Sequence, residues 1–160
     1  MKTQIIRAVA IAAATLGSCA VLSAPALANE ARIEARGGVV WAAGDSEAIA
    51  GVAAGYDFDL GGSGFVGAEV SADKILTDDT RFLFGLGGRA GMKLGENGKL
   101  YAAAAYQTKP CRYCEESVSL GAGYQHAFGK LYGKVEYRHF FVGDDLPDYN
   151  AVVAGLGMRF

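Results

Sequence analysis

The sequence runs to 160 residues, 51% of them hydrophobic, with 15 Lys and Arg against 17 Asp and Glu for a formal net charge of −2. That size suits a single domain, and a charge balance this near neutral supplies no basic surface for nucleic acid. Glycine is abundant at 23 residues and proline scarce at 3, without collagen-like or low-complexity period, which excludes fibrous and disordered classes.

Residues 1–28 read as a secretory signal peptide. Lys2 and Arg7 supply a basic start, Ala8 to Leu16 an apolar run, and Ala26-Leu27-Ala28 a small-x-small site, so cleavage is expected before Asn29. A helical anchor is disfavoured because Thr15, Gly17, Ser18 and Pro25 interrupt the run short of the roughly 20 residues a spanning helix needs. Leu16-Gly17-Ser18-Cys19 resembles a lipoprotein box, leaving acylation of Cys19 as an alternative. Without Lys2 and Arg7 the basic count falls to 13 against 17 acidic, a net charge of −4 for residues 29–160.

From Ala31 onward the chain alternates with period two, the mark of strands. Strand one, Ala31 to Ala42, sets Ile33, Val39 and Trp41 against Arg32, Glu34, Arg36 and Val40. After a turn at Gly44-Asp45-Ser46, strand two covers Glu47 to Phe58, with Val52, Tyr56 and Phe58 opposite Glu47, Ile49 and Asp57. Leu60 to Gly64 is turn chemistry. Strand three, Phe65 to Asp73, opposes Val66 and Val70 to Glu69, Ser71 and Asp73. A polar connection holding Lys74 leads to strand four, Thr80 to Leu94, with Phe82, Phe84, Leu86 and Met92 opposite Arg81, Arg89 and Lys93. Gly95-Glu96-Asn97-Gly98 carries an Asn-Gly hairpin signal. Strand five, Lys99 to Lys109, is an alanine run of weak periodicity.

The Pro110 to Glu116 loop holds Cys111 and Cys114. Strand six, Ser117 to Phe128, opposes Leu120 and Tyr124 to Ser119 and Gln125, and a Gly129-Lys130 link joins it to strand seven. There Leu131, Val135, Tyr137 and Phe141 face away from Tyr132, Lys134, Glu136, Arg138 and Phe140. Past Gly143 to Asp148, the last strand sets Val152, Leu156, Met158 and Phe160 against Val153, Gly155, Gly157 and Arg159. The strands number eight, each near the roughly 9–11 residues of a tilted membrane-spanning strand.

One alternation per strand also sorts the charges. The large apolar face is free of Asp, Glu, Lys and Arg, whereas the small, Gly-rich face carries Arg32, Glu34, Arg36, Glu47, Asp57, Glu69, Asp73, Arg81, Arg89, Lys93, Lys109, Lys134, Glu136, Arg138 and Arg159. A charge facing lipid at mid-depth costs roughly 2–4 kcal/mol, so this sorting fits a membrane barrel, apolar outward and polar inward. A soluble barrel of lipocalin type inverts the faces and would expose Phe82, Phe84, Leu86 and Met92 to water as one patch. An eight-stranded barrel is narrow enough for side chains to fill. Mixed charges therefore predict a plug of ion pairs, with inward glycines such as Gly55, Gly123 and Gly157 leaving pockets that water occupies.

The Cys111-Arg112-Tyr113-Cys114 spacing admits a redox or zinc reading, but a zinc site lacks its second pair, and a loop disulfide is expected in an exported chain. Ser117, Ser119, His126 and His139 do not converge under the alternation, so no enzyme activity and no cofactor is expected.

An alternating last strand ending in Phe160, together with the Leu131 to Arg138 strand and the Gly155 to Phe160 end, resembles the small outer-membrane β-barrel, opacity-protein-like family of Gram-negative bacteria. The resemblance implies an all-β, eight-stranded antiparallel up-and-down barrel over 29–160, placed in the cell outer membrane among lipid and lipopolysaccharide. It further implies a monomer, Phe160 as an assembly signal, and insertion by the barrel assembly machinery with periplasmic chaperones. Members are structural barrels, minor pores or adhesins; the short loops here depart from the long loops of opacity-type adhesins.

Overall fold

The computed structural model describes residues 29–78, 80–112, 114–143 and 146–160; the expected signal peptide and Cys19 lie outside them. Eight strands close into an antiparallel barrel in sequence order: β1 (Glu30–Ala42), β2 (Asp45–Asp59), β3 (Gly64–Ile75), β4 (Leu83–Leu94), β5 (Gly98–Gln107), β6 (Ser117–Phe128), β7 (Leu131–Val142) and β8 (Tyr149–Arg159). Each strand pairs only with its sequence neighbours, and β1 pairs with β8 from Arg32↔Arg159 to Trp41↔Asn150 to complete the ring. The seam extends one step further, with Ala31 N–H donating to the Phe160 carbonyl and Phe160 N–H donating back to Ala31, at 3.2 and 2.9 Å. Closure leaves no unpaired strand edge, the condition a sheet must meet to sit in hydrocarbon.

The alternation predicted from sequence sets the two faces. Outward lie Leu156, 75% exposed, Leu86, 63%, and Phe84, 58%, among a belt of exposed apolar side chains on every strand. Inward lie the buried charges, with Arg32 1% and Glu136 1% exposed. Such a belt is far larger than the apolar patches of water-soluble monomers. The polar-inside, apolar-outside arrangement is that of transmembrane barrels.

Several boundaries move. The first turn is only Ala43-Gly44, both at positive φ (49° and 100°), so β2 begins at Asp45. β4 starts at Leu83 and β5 ends at Gln107, because the 76–82 and 108–116 loops are held by contacts of their own, among them Arg81 N–H on the Pro110 carbonyl at 2.7 Å. At the β4–β5 turn the left-handed residue is Gly95 (φ 67°), while Gly98 already pairs as the first residue of β5. β3 runs on to Ile75, which places Lys74 in the ladder opposite Ala50, on the outward register of a face expected to be free of charge.

Links 60–63, 95–97 and 129–130 lie at one end of the barrel, and the longer loops 76–82, 108–116 and 143–148 at the other, with the 43–44 turn among them. These are called the link end and the loop end below.

Candidate functional site

The lumen gathers the side chains that could carry function, and its contents follow from strand phase. On β1 the inward positions Arg32, Glu34 and Arg36 form a ladder of alternating charge; β7 presents Lys134, Glu136 and Arg138 in the same phase, and β3 supplies Glu69 and Asp73. The Arg36 guanidinium is bidentate on Asp73, with Nε to Oδ1 at 2.8 Å and Nη2 to Oδ2 at 2.5 Å, and its Nη1 donates to Glu69 at 3.0 Å. Arg138 reaches the same Glu69 oxygen at 3.2 Å and pairs with Glu136 on its own strand. Lys134 lies 2.6 Å from Glu34 and 3.4 Å from Glu136. Arg32 Nη2 stands 2.8 Å from Glu69 in ion-pair contact, although its nitrogens make no aligned hydrogen bond in the protein.

Toward the link end a second group centres on Asp57. Arg89 binds it through Nε and Nη2 at 3.0 and 2.6 Å and donates Nη1 to Gln125 at 2.9 Å. Lys99 donates to Asp57 at 2.9 Å and to Glu30 at 2.7 Å. The Phe65 ring lies beneath both cations, 5.5 Å from Arg89 and 5.1 Å from Lys99, and Tyr101 lies 4.8 Å from Arg89, supplying cation–π attraction. Two tyrosines close the acceptors: Tyr101 Oη donates to Glu136 at 2.7 Å and Tyr132 Oη to Glu34 at 2.8 Å.

Of the residues expected in the network, Glu69, Lys134, Glu136 and Arg138 stand together in its middle, and Arg89 stands in the group around Asp57. Lys93 and Arg159 sit at the link-end rim, paired with Asp59 and Glu30. Arg81 is not in the lumen: it precedes β4 and is exposed, since the alternation was extended through residues that form loop. Lys109 likewise belongs to the loop, where the Glu115 hydrogen bond at 2.7 Å raises its pKa, and Glu47 is exposed at the loop-end rim. Lys99, Glu30 and Asp59 join the network unforeseen: Lys99 opens the expected strand five in the inward phase shared by Tyr101 and Lys109, and Glu30 and Asp59 lie one residue outside the expected strands.

The inward glycines also act otherwise than expected. They are not voids: Tyr101 stands across from Gly123, Tyr132 across from Gly157, and the Arg32 head lies where a Cβ on Gly55 would be, 2.5 Å away. The middle of the lumen holds a cavity of about 10 Å³ beside Gly85, Gly87 and Ser119, room for about one water.

At the loop end the lumen turns apolar. Val40, Ile49, Phe140, Ala151 and Val153 pack into a buried cluster joined by Ile75 and Tyr149, whose ring stacks on Phe140 at 4.3 Å. The wall opposite carries Gln107, Ser117 and Ser119, all buried. Cys111 and Cys114 are disulfide-bonded, with Cα atoms 5.0 Å apart. His139 Nδ1 lies 2.8 Å from Asn150 and His126 Nδ1 3.1 Å from Tyr124, while Ser117 has Tyr149 for its neighbour at 3.4 Å.

The sequence matches no protein-family model and no curated protein. Solved structures do resemble it. Neisserial surface protein A superposes with a TM-score of 0.56 at 14% identity, over 82% of this chain and 97% of that one. The N-terminal β-barrel domain of Pseudomonas aeruginosa OprF gives 0.54 at 17% identity, over 82% and 97%. The attachment invasion locus protein Ail of Yersinia pestis, solved with the heparin analogue sucrose octasulfate, gives 0.54 at 14% identity, over 82% and 97%. These likenesses establish the fold: the closed eight-stranded barrel of small outer-membrane proteins.

Proposed function

We propose that the protein is an integral outer-membrane β-barrel of the Gram-negative envelope with a structural or surface role, non-enzymatic, its lumen closed to steady ion flow. What supports this is an apolar belt on every strand around a lumen that holds paired charges at mid-height and an apolar cluster toward the loop end. A layer of ion pairs from Asp57 to Asp73 fills the middle, and the Phe140 cluster caps it at the loop end. Ions crossing the first layer would have to break buried pairs, and an apolar constriction resists wetting at the second. The loop end is assigned to the outside, because short turns face the periplasm in such barrels and longer loops face out. With its Cys111–Cys114 bridge and the Arg81–Pro110 contact, that end forms a small tied surface on the cell exterior.

Fractionation and planar-bilayer recording test the reading together. The expected result is heat-modifiable protein in the outer membrane that gives no stable single-channel steps after refolding. Steps whose ion selectivity changes with Arg89→Ala would overturn the closed lumen in favour of a small pore. Recovery as a freely soluble periplasmic monomer would overturn the membrane placement itself.

A further inference from the structure

Toward the loop end the lumen is apolar on one side only. The Phe140 cluster draws its buried residues from β1, β2, β7 and β8, whereas the inward wall of β3 to β6 is small and polar. Ser71, Gly85, Gln107 and Ser117 are successive cross-strand partners from β3 to β6, and Ser119 holds the next inward position on β6. The serines and the glutamine are all buried, Gln107 to 1% exposure.

Gln107 is the residue of this wall that the protein leaves incomplete. Neither its Oε1 nor its Nε2 hydrogen-bonds to any described residue. A buried amide without a partner forfeits the hydrogen bonds it made to water in the unfolded chain, a loss that folded proteins rarely leave uncompensated. The side chain leans over a gap. The place that a Cβ on Gly85 would occupy is 2.5 Å from Ser71 Oγ and 3.3 Å from Gln107 Oε1. Two oxygens reaching over one glycine in this way are close enough for a single water to join them by ordinary hydrogen bonds of about 2.7–3.2 Å. Ser71 and Gly85 also line the cavity of about 10 Å³, together with Ser119, Glu69 and Arg138.

We propose that Gln107, Ser71 and Gly85 form a binding site for a fixed internal water. The amide holds it from one side and the hydroxyl from the other, while the glycine supplies the room. A buried water takes about one probe sphere of space and two to four polar partners, and this wall offers both. Water donates as well as accepts, so it completes the amide whichever way the amide is turned. An ion is not called for, because Glu69 and Arg138 in the cavity wall are already paired with each other. At this height the lumen is then dry along β7, β8, β1 and β2 and hydrated along β3 to β5. The site does not depend on whether the barrel conducts.

ROESY spectra of the full mature chain, refolded in perdeuterated detergent with isotope-labelled glutamine, test the site. Wild type is expected to show a cross-peak between water and the Gln107 side-chain amide protons, which are identified by their loss in Gln107→Met. The cross-peak should persist in Ser71→Ala and vanish in Gly85→Ala, whose methyl takes the water's place. Its absence from wild type overturns the site. So does a cross-peak that Ser71→Ala abolishes, since the hydroxyl and not a water would be the source. Urea titration of Gln107→Met gives a second reading that does not rely on Gly85→Ala folding. Methionine keeps the volume and removes the amide, so the water is stranded beside Ser71 and the urea midpoint should fall. An unchanged or higher midpoint means that the amide had no partner to lose, and overturns the site.

Discussion

Tyr101 stands across from Gly123 on the neighbouring strand so closely that a Cβ on the glycine would lie 2.6 Å from both Cζ and Oη of the ring. Only the absence of that carbon lets the hydroxyl reach Glu136 at 2.7 Å. Gly123→Ala is therefore expected to displace the ring and lower the unfolding free energy by about 1–3 kcal/mol, measured by urea titration of the refolded barrel. Tyr101→Phe keeps the ring and removes the donor, with an expected loss of about 1–3 kcal/mol. A Gly123→Ala barrel as stable as wild type would show that the wall can yield.

The buried pairs and the loop pair should separate in a comparison of single changes. Glu136 is buried and touches Arg138, Lys134 and Tyr101, so Glu136→Gln takes one counter-charge from two cations that keep Glu69 and Glu34 as partners, and is expected to cost about 1–3 kcal/mol. Lys109→Ala removes an exposed pair with Glu115 and should not change the urea midpoint measurably. Equal effects from both would contradict the placement of Lys109 outside the lumen.

The proposed closure of the lumen by two layers makes a prediction about conductance. Phe140→Ala opens the apolar cap but leaves the Arg36, Glu69 and Arg138 pairs intact, so planar-bilayer traces should stay silent. Stable steps from this variant alone would mean that the cap is the sole barrier.

Deleting Phe160 removes both backbone hydrogen bonds to Ala31 at the seam, along with the proposed assembly signal. Less heat-modifiable barrel in the outer membrane and more unfolded chain in the periplasm are expected by immunoblot of the two fractions. If the same deletion refolds in detergent as well as wild type, the defect lies in targeting and not in the two lost bonds.

The fold was legible because burial on one side of a closed sheet imposes period two, and Val152 to Phe160 or Phe84 to Leu94 display it over enough residues to fix the phase. Strand ends were not legible in the same way. Whether an inward residue meets the lumen or solvent depends on where the rim falls, which alternation does not encode: Arg81 and Glu47 are exposed for that reason, while Lys93 and Arg159 hold rim pairs. The filling of the lumen was also hidden, since a glycine in a sequence does not announce the tyrosine or arginine that a neighbouring strand will lay over it. The apolar cap had its residues in view, Val40, Ile49, Phe140 and Val153 all lying on the inward face, but only the register brings four different strands' residues to one depth.

The ion pairs across the lumen join strands that are not neighbours in the sheet. Arg36 ties β1 to β3, Lys134 ties β7 to β1, Arg138 ties β7 to β3, and Arg89 ties β4 to β2. They act as spokes inside a hoop. A hoop held only at its rim flattens easily under sideways load, whereas one with spokes in several directions must break a spoke to change its cross-section. Sideways load on the barrel wall will therefore leave its cross-section unchanged until one of these pairs breaks.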